Sequence, residues 1–287
     1  MLAARRSRGK FATAMYELGK APLTAKFGLL MIVLYILLAV FAPWIAPYGE
    51  AEVVSPKVYA AWSDEFVFGT DQIGRDFFSR MIYGARNSVS IAFITTVLAF
   101  VLGAAVGVLS ACVGGWIDQG LGRFVDTLMA IPGLIFTLVL LTIFGTDLIT
   151  LILVIGIFDA TRVYRLSRAV ALNIVVMDFV EAARLQGERL PWIMGREVLP
   201  NILPPLAAEF GLRFCFVFLT IAALSFLGLG IQPPLADWGS MVRESSTLIG
   251  YGDITPLLPA AAIALLTVSV NFVVDWFLHK TSGLRDV

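Results

Sequence analysis

Residues Phe27–Ile45 carry no charged side chain and form a run long enough to cross the hydrocarbon core of a bilayer as one helix. Further apolar runs follow at Ser88–Cys112, Phe124–Phe144, Leu148–Val163, Leu206–Gly230 and Pro256–Leu278. Their number and length predict an all-α polytopic membrane protein with six transmembrane helices. Composition points the same way: 59% hydrophobic residues and a mean hydropathy of +0.86 lie outside the range of soluble globular chains. The formal net charge is zero, which gives no electrostatic case for nucleic acid, since phosphate binding needs a concentrated basic face.

Arg5, Arg6, Arg8, Lys10, Lys20 and Lys26 precede the first run. A basic leader suggests a secretory signal, and Arg5-Arg6 invites a twin-arginine reading. Against both, the run is long enough to span, lies far from the arginine pair and ends in Pro43 and Pro47 without a small-residue cleavage site. Residues 1–25 then form an inner N-terminal segment and residues 26–47 an uncleaved first span. Residues 48–87 are too charged to span and read as an outer loop. Within it Phe77, Phe78, Met81 and Ile82 recur at helical spacing. A short amphipathic surface helix is expected over Asp76–Ala85, ended by Gly84, with Asn87-Ser88 capping the next helix.

Residues 88–278 hold the remaining five spans. Ala99, Gly103 and Gly107 fall four apart and form a smooth face for close helix packing. Val113–Arg123 reads as a short Gly-rich loop. Ile131-Pro132-Gly133 breaks the third span, which marks Pro132 and Gly133 either as a wall of a translocation path or as a packing kink. The fourth span is interrupted by Asp159 and leaves the membrane as a basic helix through Arg162, Arg165 and Arg168. The fifth carries Glu209 and Arg213 at an i,i+4 spacing that lowers the cost of both charges. With both termini inside, basic residues crowd the inner segments, and the outer ones hold only Lys57, Arg75, Arg80, Arg86 and Arg243.

Chemistry is sparse. Cys112 and Cys215 read as small buried hydrophobes, and His279, beside Lys280 at the start of the tail 279–287, as a solvated or headgroup-facing residue. No nucleophile–base pair or metal-ligand spacing occurs, so no catalytic or metal residue is expected. Without a Gly-rich phosphate cradle followed by Lys-Ser/Thr, the chain holds no ATP site and no cofactor of its own.

The polar island Arg162–Pro200, inside the loop 163–205, is where such a chain meets something soluble. Val180–Gln186 is rich in helix formers, and Gly187 supplies the left-handed conformation that ends a helix. Pro191 suits the first turn of a second short helix with the apolar stripe Leu190, Ile193, Met194 and Val198, which Leu199-Pro200 closes. The expected shape is a helix–turn–helix bracket, better suited to docking than to catalysis.

The spacing of Glu181-Ala182-Ala183, Gly187 and Leu199-Pro200 resembles the EAA loop of permease subunits of type I ABC importers. A second segment agrees: Gly69-Thr70-Asp71-Gln72-Ile73-Gly74-Arg75-Asp76, Ser79-Arg80, Gly84-Ala85-Arg86 and Ser88 are similar to the second permease of dipeptide, oligopeptide and nickel importers. Leu227-Gly228-Leu229-Gly230, Gln232-Pro233-Pro234 and Asp237-Trp238-Gly239 resemble it too. The resemblance implies an ATPase-coupling role for Glu181, Ala182, Ala183, Arg184, Gly187, Leu199 and Pro200, in a coupling helix seated in a cleft of the ATPase subunit. It implies as partners a homologous second permease, two ATP-binding subunits that bind the ATP, and an extracytoplasmic (periplasmic) substrate-binding protein. The location implied is the bacterial inner membrane with both termini cytoplasmic. Dipeptides or oligopeptides lead as substrates, ahead of nickel chelates, glutathione-like peptides and opine-type compounds.

The sequence departs from that pattern at Glu197, where relatives often carry His, at Glu188 and Arg189 after the loop glycine, and at Trp276–Ser282, which separates Asp275 from the Leu284-Arg285-Asp286 tail. These changes bear on which ATPase and which substrate are served. The alternative, an ion-coupled secondary transporter or channel, calls for inverted repeats or buried charges. An intramembrane enzyme calls for a reactive constellation within the spans.

Overall fold

The structure, a computed structural model, describes residues 19–281. The basic leader Arg5, Arg6, Arg8 and Lys10 and the terminal Gly283-Leu284-Arg285-Asp286 lie outside the described residues. Nine helices are used below: α1 Leu23–Ile45, α2 Phe77–Val113, α3 Gly115–Met129, α4 Gly133–Phe144, α5 Leu148–Val175, α6 Asp178–Leu185, α7 Leu190–Phe226, α8 Trp238–Ser245 and α9 Leu257–Thr281. Among the described residues, β pairing is confined to two isolated bridges, Val53–Arg75 and Thr70–Asp76.

Among the described residues, four helices (α1, α2, α7 and α9) are long and apolar enough to cross a membrane, and the bent pair α3 and α4 would make a fifth span. In α5 the residues Asp159, Arg162 and Arg165 fall within the first five turns and interrupt its apolar run. The architecture is therefore a helical membrane protein with four or five spans by length and composition.

Several boundaries differ from those read along the chain. The short amphipathic helix is not separate: Phe77 opens a single 37-residue helix, capped by Asp76, whose carboxylate accepts from the Ser79 amide at 2.8 Å. Gly84 ends nothing, because the Trp238 indole packs on it, with Cδ1 2.7 Å from where a Cβ would stand. Nor do Asn87 and Ser88 cap a helix. Asn87 donates to Glu50 and to the Ala236 carbonyl, and Ser88 donates to Asp237 at 2.8 Å. Tertiary partners have taken the groups that would have ended the helix.

Val113–Arg123 is also largely helical, since α3 starts at Gly115. The third span is two helices meeting at 87° across Ala130-Ile131-Pro132, a sharper turn than a proline kink alone produces. Leu199-Pro200 closes no helix. The chain runs on through a π-helical stretch, Ile193–Val198, in which the Leu199 amide donates to the Met194 carbonyl five residues back. The wider register accommodates Pro200, which lacks an amide and clashes with an α-helical carbonyl four residues earlier. What read as a second short helix is the first part of α7.

The small-residue face on α2 packs against α5. A Cβ on Gly103 would stand 2.5 Å from the Ala160 carbonyl oxygen and 2.6 Å from the Val163 Cβ, and Ser167 Oγ donates to the Gly103 carbonyl at 3.2 Å. Against the other side of the bundle, α1 is joined to α9 by the Tyr35 hydroxyl donating to the Ala262 carbonyl at 3.0 Å. The main apolar core, including Leu141, Leu151, Ile155, Phe218, Ile221 and Trp238, gathers α1, α2, α4, α5, α7, α8 and α9 around it.

Residues 46–76 fold as a cap over one end of that core. Their centre is four buried charges: Asp71 and Glu244 face Arg75 and Arg80, with Arg75 2.6 Å from Asp71 and Arg80 3.0 Å from Glu244. Arg80 also contacts Asp71 directly. The Tyr59 hydroxyl donates to the Glu244 carbonyl and the Trp62 indole to Thr255, tying the cap to the α8 side.

Burial pushes the Asp71 carboxyl up, but the Arg75 and Ile73 amides and the Arg80 and Arg75 guanidiniums outweigh it and hold it below the ordinary value. A depressed folded value means the stabilisation is complete above the unfolded value of about 3.9 and is lost as pH falls through the folded one. Protection of the amides across residues 53–76, relative to an unfolded chain at the same pH, is expected to hold from neutral pH down to about pH 5 and to fall below about pH 4. Asp71→Asn should flatten that profile, and a wild-type profile flat to pH 3 would remove Asp71 as its cause.

Candidate functional site

The bracket is built from the junction of α5, α6 and α7. Only Val176 and Met177 separate α5 from α6, whose first turn carries Asp178 and Glu181, the favourable sign at a helix N-terminus. At the other end the Gly187 amide donates to the Arg184 carbonyl at 3.0 Å and the Glu188 amide to the Ala183 carbonyl at 3.1 Å. That pairing is a Schellman motif, and it demands a left-handed residue at Gly187, found at φ +84°. Three residues later α7 begins.

One face of α6 is sunk into the protein. Val180 and Ala183 pack in a cluster with Val108, Ala111 and Cys112 of α2, Ala171 of α5, and Ile193, Val198, Ile202 and Leu206 of α7. The stripe Leu190, Ile193, Met194 and Val198 read from the sequence is the α7 contribution to this cluster. The opposite face is open and apolar: Phe179, Ala182 and Leu185 recur every third residue, Leu185 is 82% exposed, and Val176 beside them is 77% exposed. Large apolar side chains left open on a well-anchored helix have the character of a docking surface.

Of the residues singled out from the sequence, Glu181, Ala182, Ala183, Arg184 and Gly187 share α6 and its cap. Ala182 is exposed and Ala183 buried, so the pair straddles the edge between the open face and the core. Arg184 stays exposed, but its Nη2 donates to the Cys112 carbonyl at 3.1 Å, where a cation suits the C-terminal end of α2. Leu199 and Pro200 lie on α7, outside the corner. Leu199 lines an open groove of about 500 Å³ with Val101, Ala104, Val108, Pro191 and Met194. Gly133 is accounted for by packing: Phe158 Cε1 lies 2.7 Å from where its Cβ would be, while Pro132 is exposed at the bend.

Three features escaped the sequence reading. The exposed row Phe179, Ala182 and Leu185 carries a period-three signal, weak in so short a segment. Asp118, read as part of a loop, takes Arg168 in a two-point pair, Nε to Oδ1 and Nη2 to Oδ2, both at 2.5 Å. Ser110 donates to the same carboxylate, and Tyr164 lies 2.9 Å from Ser110, so α2, α3 and α5 are held together beneath the bracket. Third, Asp159 of α5 lies 3.6 Å from Arg213 of α7, adding an interhelical partner to the expected Glu209–Arg213 pair, which is 2.6 Å apart.

Residues 99–280 match the family described as the binding-protein-dependent transport system inner membrane component, and residues 24–60 match the N-terminal transmembrane domain of oligopeptide transport permease C. The chain belongs to the permease family of binding-protein-dependent ABC importers. Similar relatives include the dipeptide transport system permease protein DppC of Alkalihalophilus pseudofirmus, 34% identical over 90% of this chain and 83% of that protein. The probable D,D-dipeptide transport system permease protein DdpC of Escherichia coli is 31% identical over 99% of this chain and 92% of its own length. Among solved structures, a chain of the methionine ABC transporter MetNI in inward-facing form superposes with a TM-score of 0.58 over 71% of this chain and 96% of that one. At 19% identity that likeness concerns the fold alone. As a member of the family this permease is a multi-pass membrane subunit and not an enzyme, ATP hydrolysis residing in partner subunits.

Proposed function

We propose that this permease forms half of the translocation pathway of an ATP-driven peptide importer, and that the bracket is its point of contact with an ATP-binding subunit. The observation that carries the reading is the open apolar row Phe179, Ala182 and Leu185 on a helix anchored from behind and capped at Gly187. ATP-driven closure of the ATPase pair would displace α6, and the helices on either side of it would carry that displacement into the membrane, a change between two packings. A homologous permease completes the path, and a substrate-binding protein delivers the cargo. Dipeptides or oligopeptides are the substrate class, as the names of the relatives suggest.

Six spans with both termini in the cytoplasm follow if α3 with α4 forms one span and α5 another. Lys26, Arg123, Arg162, Arg165, Arg168, Arg184, Arg189, Arg196 and Lys280 then share the inner side, as the positive-inside rule requires.

The test is reconstitution in proteoliposomes with the second permease, both ATP-binding subunits and the binding protein. Peptide uptake is expected only with ATP and the binding protein present, and protease added from the binding-protein side should cut within 53–62 and spare 184–196. Uptake by this chain alone, driven by an ion gradient, would establish the secondary-transporter alternative, and cleavage at 184–196 from that side would invert the topology.

A further inference from the structure

The bracket has two legs. On one side α5 runs into α6 with two residues between them, and on the other α7 leaves it as a single helix through its π-helical stretch. A displaced α6 therefore pulls on both, and the motion is useful only if the legs move together.

They are joined at one charged position within the bundle. Asp159, about 24 Å along α5 from its bracket end, is 6% exposed and lies 3.6 Å from Arg213 Nη1 on α7. Arg213 is set in place by its own helix: Glu209, one turn back, is 2.6 Å from its Nε, and the Phe216 ring lies under the guanidinium at 4.7 Å. Arg162, 4.0 Å from Asp159 along α5, balances the second acid. The four charges sum to zero, so nothing in the group calls for an ion or a charged substrate.

Two details separate this contact from an ordinary structural pair. Buried ion pairs contribute little net stability compared with apolar packing, so one retained between two legs points to position more than to strength. In addition, Arg213 Nε and Nη1 are buried without an acceptor in hydrogen-bonding alignment, although carboxylates from both legs lie beside them. The attraction is thus one of charge, which persists through small sliding, whereas an aligned hydrogen bond weakens steeply with angle.

We propose that Asp159 and Arg213 are positioning residues for coupling: they tie the two legs of the bracket so that displacement of α6 moves α5 and α7 as one lever, with Glu209 aiming Arg213 at its partner. The inference rests on the permease reading above and deepens it.

The experiment measures ATP hydrolysis and peptide uptake in the same proteoliposomes holding the full complex. For Asp159→Asn, uptake per ATP is expected to fall about tenfold, inside the usual range for a coupling energy, while the ATPase rate stays within about twofold of wild type. The double variant Asp159→Arg with Arg213→Asp places both cations on α5 and both acids on α7, and should recover most of the lost ratio. Should Asp159→Asn fail to assemble, Arg213→Gln, which removes the cation and keeps a long polar side chain, carries the same measurement. An unchanged ratio in the single variant, or a swap as uncoupled as the single variant, overturns the proposal. If the wild-type complex itself shows no ATP-driven uptake, the permease reading has failed instead.

Discussion

Replacing Gly187 with valine is expected to cut ATP-driven uptake at least tenfold while leaving membrane insertion and the helix bundle intact. Gly187 sits at φ +84°, where a β-branched side chain is strained by about 1–3 kcal/mol. Two backbone bonds at the end of α6, from the Gly187 and Glu188 amides, depend on that conformation. Forced out of it, the corner opens and the row Phe179, Ala182 and Leu185 loses its fixed relation to α7. A strain of about 1.4 kcal/mol already corresponds to tenfold in an equilibrium. No heavy atom lies within 4 Å of a Cβ at this position, so the damage stays local. Gly187→Asn, a residue that tolerates the left-handed region, should retain most of the activity. Uptake and ATPase binding by Gly187→Val at wild-type levels would sink the docking role of the corner.

The same substitution at Gly103 should have the opposite character. Here the backbone is helical and unstrained, but the Ala160 carbonyl and the Val163 Cβ of α5 stand 2.5 and 2.6 Å from the position a Cβ would take. Backbone cannot rotate away as a side-chain tip can, so α2 and α5 would have to separate. Overpacking of this kind costs about 1–3 kcal/mol or more, and along this interface it also breaks the Ser167 to Gly103 hydrogen bond. Gly103→Val is expected to lower the yield of monodisperse protein in detergent several-fold and its melting temperature with it, before any assay of function. A variant that purifies and melts like wild type would show that the helices can separate without loss. Two glycines thus fail for different reasons, one through conformation and one through proximity.

Much of this was legible along the chain because lipid is a demanding solvent. Phe27–Ile45 and Pro256–Leu278 correspond to α1 and α9 within a few residues, since a long apolar run has few alternatives in a membrane. Gly187 was readable as a helix end because few residues adopt its conformation, and the stripe Leu190, Ile193, Met194 and Val198 kept its period and became core. The peptide-permease motif around Gly69–Ser88 stood out as a motif, but its work was hidden. Arg75 and Arg80, which hold Asp71, meet Glu244 across more than 160 positions of sequence.

Where the reading along the chain misplaced an element, a distant partner had intervened. Gly84 and Asn87-Ser88 carry the local signature of a helix end and a cap, yet Trp238, Ala236 and Asp237 claim them and the helix runs through. Leu199-Pro200 carries the signature of a stop, yet a π-helical register carries the chain past it.

Hydrophobicity, turn chemistry and motif spacing settled that this chain is a helical membrane permease with a polar bracket cornered at Gly187, because those properties belong to residues and their near neighbours. Only the folded chain decided which face of α6 is open, that α2 and α5 touch through Gly103, and that Asp159 meets Arg213. Each of these is a relation between helices, and the energies that choose it arise when surfaces remote in sequence come together.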